Sequence, residues 1–93
     1  MYNEVNACHV LVKTKEEAEQ LKTDVDSGKS FEDIAKENSL CPSGKEGGSL
    51  GWFGKGAMVK EFEDMAWNMQ KGDTSEPFQT QFGWHLIKLL DTK

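Results

Sequence analysis

Ninety-three residues are one domain's length of chain, and 37% apolar with 29% charged residues is a balance that disordered and membrane-spanning chains do not show. No apolar run approaches the ~20 residues a spanning helix needs, and Met1-Tyr2-Asn3-Glu4 is not a basic segment leading into an apolar one. The net charge of −5 opposes nucleic acid or an anionic membrane as partner, because polyphosphate attracts the opposite sign. Two cysteines, Cys8 and Cys41, are too few for the disulfide framework of a small secreted domain. The expectation is a single domain over residues 1–93, monomeric and cytoplasmic if nothing longer surrounds it.

Val5 to Val12 is β-branched and apolar and reads as a strand buried on both faces. It gives way to Thr14-Lys15-Glu16-Glu17, a capping box, after which Ala18, Leu21 and Val25 form a helical stripe that Gly28 should end. Ser30 and Asp33 cap a second, shorter helix carrying Phe31, Ile34 and Ala35. From Ser39 to Gly56 glycines punctuate the chain, with Leu50-Gly51-Trp52-Phe53 as a short strand between loops. Val59 to Met69 places Phe62, Met65, Ala66 and Met69 on one helical face. Ser75 to Thr80 reads as a weak strand that Pro77 confines to an edge, and Trp84 to Leu90 as a strong last one. The order β-α-α-β-α-β-β, without a phosphate-binding glycine motif, indicates a compact α+β domain.

Cys8, His9, Cys41 and His85 are the side chains with chemistry to offer. Two Cys and two His could bind zinc, but Cys8 and His9 are neighbours on a strand and point to opposite faces, so they cannot share a metal. If the first and last strands are adjacent, His9 and His85 can lie side by side with Cys41 reaching in from a loop. Each could equally be a core residue, and a Cys-His nucleophilic hydrolase is a further possibility. Met58 and Phe62, four apart, share a face if a helix starts there, as a core pair or as part of a cup; Phe82, beside Gly83 at a turn, is a less natural core position.

Four blocks, in order, carry a resemblance. Cys8-His9-Val10-Leu11-Val12-Lys13 resembles the opening strand of the parvulins. Cys41-Pro42-Ser43-Gly44 with Gly47-Gly48-Ser49-Leu50-Gly51-Trp52-Phe53 resembles their central loop. Gly56-Ala57-Met58-Val59-Lys60-Glu61-Phe62 and Thr80-Gln81-Phe82-Gly83-Trp84-His85-Leu86-Ile87 are similar to the remaining two, so the likeness spans nearly the whole chain. It implies a parvulin-like (FKBP-like) four-stranded antiparallel sheet surrounded by helices, and peptidyl-prolyl cis-trans isomerase activity without metal or cofactor. It further implies a polar cluster of His9, Cys41, Thr80 and His85 around the rotating bond. Met58, Phe62 and Phe82, with Leu50 beside them, would form the proline pocket. The implied partners are proline-containing peptides or unfolded protein segments. A peptide-binding chaperone module on the same fold is the alternative.

Some parvulins select phosphoserine or phosphothreonine before proline through a basic loop after the first strand. Here that segment is Lys13-Thr14-Lys15-Glu16-Glu17-Ala18-Glu19, with no arginine and three carboxylates, which suits phosphate-independent binding.

Overall fold

A computed structural model describes residues 2–40 and 42–93. The elements are β1 (Glu4–Val12), α1 (Lys15–Asp26), α2 (Phe31–Asn38), a 3-10 turn (Pro42–Glu46), β2 (Ser49–Gly54), α3 (Lys60–Trp67), β3 (Phe78–Thr80) and β4 (Gly83–Thr92). The four strands form one antiparallel sheet in the order β2-β1-β4-β3. Helix and strand order follow the expectation; the 3-10 turn is the addition, inside a stretch read from sequence as loop.

The strand alternation sorts the core into two. Cys8, Val10, Val12 and Leu86 point to one face and pack under α1 and α2 through Ala18, Leu21, Phe31, Ile34 and Ala35. Val5, Ala7, Ile87 and Leu89 point to the other, where α3 covers them with Phe62 and Ala66. β1 and β4 are therefore buried on both sides, and that is why their sequences are nearly continuous in apolar residues. Each fully buried Val, Leu or Ile contributes roughly 1.5–3 kcal/mol by leaving water, so the central pair holds the molecule together.

The helix caps form with one variation. Thr14 Oγ1 accepts the Glu17 N–H at 3.2 Å, and its own proton goes to the Glu17 carboxylate, so the carboxylate meets the hydroxyl rather than the Thr14 backbone. Ser30 caps α2 by accepting the Asp33 N–H. α3 is shorter than the expected Val59–Met69. Val59 is its N-cap, and Asn68 and Met69 bond to the carbonyls three residues back, tightening the chain out of the α-helix while Met69 stays buried.

β3 is also shorter than the weak strand expected from Ser75. Pro77 has no N–H to give a ladder, so regular pairing starts at Phe78. Ser75 pairs differently: its N–H donates to the Ile87 carbonyl and its buried hydroxyl accepts the Ile87 N–H. No helix among the described residues is long and apolar enough to cross a membrane.

Candidate active site

On the α3 side of the sheet a cleft of about 500 Å³ opens between α3, the loop after α2 and the β3–β4 turn. Its floor is strand. His9 lies opposite Ile87, and Leu11 opposite His85, in the β1–β4 register, so the two histidines are diagonal neighbours on one face. The N–H groups of His9 and Leu11 both point away from β4, to Gly48 O and Ser39 Oγ. Their pairings with β4 are therefore of the non-hydrogen-bonded kind, which brings opposed side chains closest.

The His9 and His85 rings stack with centroids 5.6 Å apart and planes inclined 18°, and Phe78 stacks on the far side of His85 at 5.4 Å. Phe62 meets both imidazoles edge-on, at 5.5 and 5.7 Å. Thr80 Oγ1 and His85 Nε2 are hydrogen-bonded at 2.7 Å, and the same hydroxyl accepts the Phe82 N–H at 3.1 Å. One threonine thus fixes both the ring in the floor and the turn that bears Phe82.

Burial keeps these imidazoles neutral. Desolvation, aided by repulsion from His85, pushes His9 down to about 4, and desolvation alone lowers His85. The floor therefore offers polarisable rings and hydrogen-bonding nitrogens without net charge.

His9, Thr80 and His85 come together as a cluster, and Leu50, Met58, Phe62 and Phe82 stand around it in the cleft. Cys41 lies outside the described residues. Cys8 points into the opposite core, where burial raises its thiol pKa, and is cut off from His9 by the sheet itself. Phe62, at 3% exposed, belongs to the core as much as to the cleft, packing on Phe53 and Phe78 besides the histidines. Met58 is half-buried, and Phe82 stands 62% exposed at the mouth. Leu11, Leu40, Ala57 and Val59 also line the cleft and were not singled out from sequence. Leu11 was legible in principle, since it sits two positions from His9 on the same strand face.

Gly48 secures the junction between loop and floor. Its φ of +80° suits glycine, and a Cβ there would run into the His9 carbonyl, the residue whose N–H it binds.

The sequence and the fold have counterparts among known proteins. The sequence matches the family described as "Rotamase: PPIC-type PPIASE domain" over residues 9–91. It is 48% identical over 88 residues to the foldase protein PrsA of Geobacillus sp. (strain WCH70), a match covering 94% of this chain and 32% of that protein. The chain thus spans about a third of the length of the curated relative. Among solved structures, the peptidylprolyl isomerase PrsA from Bacillus anthracis superposes with a TM-score of 0.96 at 42% identity, over 99% of this chain and 43% of that one. NmPin, the parvulin of Nitrosopumilus maritimus, gives 0.89 at 41% identity, over 98% of this chain and 99% of its own. By these matches, over nearly its whole length, the chain belongs to the PPIC-type peptidyl-prolyl cis-trans isomerases, the parvulins.

Proposed function

We propose that this domain accelerates rotation about X-Pro bonds in extended or unfolded protein segments, without a covalent intermediate and without a phosphate on the substrate. The observation that carries the reading is the apolar cleft with His9 and His85 neutral on its floor. Uncatalysed exchange takes tens to hundreds of seconds, because rotation must break amide resonance across ~18–20 kcal/mol. The twisted amide has lost that resonance and is less polar than the planar ground state. An apolar, water-poor cleft therefore favours the transition state over the substrate, which is the condition for raising the rate rather than only binding.

The residues divide the work. Met58, Phe62 and Phe82, with Leu50 beside them, hold the proline ring, and the imidazoles face the rotating amide. Thr80, through its bond to Nε2, keeps His85 in one orientation. The lack of phosphate selectivity is supported by charge: Glu16, Glu17 and Glu19 are exposed at the start of α1, and all eleven basic residues are lysines, so no guanidinium fork is available.

NMR exchange spectroscopy on one proline peptide, with and without the protein, tests this. An unphosphorylated peptide should interconvert faster with protein present. A response confined to phosphorylated peptides would overturn the phosphate-independent reading. Binding shifts without faster exchange would make the domain a holding module.

A further inference from the structure

α3 carries Phe62, yet little in its own sequence holds it in place. It is eight residues long, whereas isolated helices below ~12–15 residues are marginal in water. Its N-cap, Val59, has no side-chain oxygen to accept a helix N–H. Packing and outside hydrogen bonds must therefore fix it. At its start the Glu63 carboxylate accepts the Gly56 N–H at 2.6 Å, which ties down the loop bearing Met58. At its end the fastening comes from the beginning of the chain.

Tyr2 and the end of α3 exchange two hydrogen bonds. The Trp67 indole N–H donates to the Tyr2 carbonyl at 2.8 Å, and the Tyr2 hydroxyl donates to the Met69 carbonyl at 2.9 Å. Tyr2 has a firm base, because the neighbouring Asn3 and Glu4 N–H groups both donate to the Lys93 carbonyl, and the Lys93 N–H returns to the Glu4 carbonyl. The start of β1 is thus closed onto the end of β4. From Trp67 the contacts run inward: Trp67 meets Phe53 at 5.8 Å, Phe53 meets Phe62 at 6.1 Å, and Phe62 meets His9 and His85. Close-packed rings cannot move singly, so a shift at Trp67 is felt at the imidazoles.

We propose that Tyr2 and Trp67 are positioning residues for the isomerase: their paired hydrogen bonds latch the end of α3 to the sheet and hold Phe62 against both histidines before a peptide arrives. This rests on the function proposed above, with the cleft as the peptide site. When the latch opens, α3 samples positions in which Phe62 leaves the histidines. Apparent affinity for peptide then falls with the fraction of molecules still competent, while rotation in those molecules is unchanged. The signature is a rise in KM at constant kcat.

The test uses one unphosphorylated proline peptide and NMR. Tyr2→Phe removes one bond and keeps the ring; Tyr2→Phe combined with Trp67→Phe removes both. The chain has two histidines, so their carbon-bound ring protons, which feel the ring current of Phe62, report its position directly. Tyr2→Phe should shift those signals and raise KM about two- to threefold. The double variant should raise KM about fivefold or more, with kcat within about twofold of wild type. Val25→Ala, which thins the opposite core, should lower the denaturation midpoint yet leave KM and the histidine signals as in wild type.

Unmoved signals and an unmoved KM in the double variant overturn the latch, as does an equal rise of KM in Val25→Ala. Shifted signals with KM unchanged confine the pair to the fold and overturn the positioning role. Should the double variant fail to fold, Tyr2→Phe, which removes a single oxygen, decides by the same two readings. If wild type accelerates no peptide, the proposed function itself fails, and unmoved histidine signals would still overturn the latch.

Discussion

His9 and His85 face one another with ring centroids 5.6 Å apart, two neutral imidazoles stacked beneath the edge of Phe62. Charging either ring would place a cation in a dry site against the other. Both pKa values are lowered on folding, so between the ordinary value of 6.5 and the folded value the unfolded chain binds more protons. The stability these rings contribute is therefore complete above pH 6.5 and lost as pH falls below it. For His9 the loss is finished near pH 4 and amounts to about 3 kcal/mol. Chemical denaturation between pH 7 and 4.5 should show this slope, and His9→Asn should flatten it. Isomerase activity should be level from pH 7 to 8 and fall under acid. Activity that rises on acidification would show that an imidazolium is the working form.

Met58 and Phe62 separate by burial although both line the cleft. Phe62 touches four other rings at 3% exposure, so Phe62→Ala should cost about 3–5 kcal/mol of stability as well as activity. Met58 is half-buried, ahead of α3, and Met58→Ala should lower peptide turnover severalfold for about 1 kcal/mol or less. Denaturation curves run beside an exchange assay distinguish them. Equal stability losses in the two variants would return Met58 to the core.

Thr80 should act through His85. Thr80→Val keeps the shape but removes the bond to Nε2 and leaves the Phe82 N–H without its acceptor, costing about 1–3 kcal/mol. Exchange activity should drop about tenfold through kcat with KM little changed, and Thr80→Ser should recover most of it. A KM effect alone would assign Thr80 to the turn and not to the histidine.

What could be read from sequence was whatever local chemistry decides. Thr14 and Ser30 announced helix starts because a cap is satisfied within four residues. The apolar continuity of β1 and β4 announced the central strands because both faces are covered. Pro77 hinted at a poor strand, and pairing indeed begins after it. Features that depend on register were hidden. Phe78 meets His85 only because β3 and β4 pair them, and Leu40 reaches the cleft only because the loop after α2 takes up the edge β2 leaves free. Phe62's double duty was likewise unreadable, since helical spacing gives a residue's face and not how many rings meet it there. The cytoplasmic expectation had the weakest footing. An address is written in flanking sequence, and the curated relative is about three times the matched length.

The two cysteines provide the sharpest test of a non-covalent mechanism. Rotation about the X-Pro bond requires no bond to sulfur, only an environment that prefers the twisted amide, so a hydroxyl in place of the Cys41 thiol should serve. Cys41→Ser should therefore keep a substantial fraction of exchange activity. An obligatory thiolate nucleophile predicts almost none, because an unactivated hydroxyl is far less nucleophilic. Cys8 is the control: it packs among Val10, Val12 and Leu86 on the far face of the sheet, and burial holds its thiol protonated. Cys8→Ser buries a hydroxyl in an apolar core and should cost about 1–3 kcal/mol of stability while leaving the rate per folded molecule unchanged. Both variants should be assayed well below their melting temperatures, with the folded fraction measured by circular dichroism. Abolished exchange in a folded Cys41→Ser protein, beside a fully active Cys8→Ser protein, would overturn the non-covalent mechanism and return the Cys-His nucleophile to consideration.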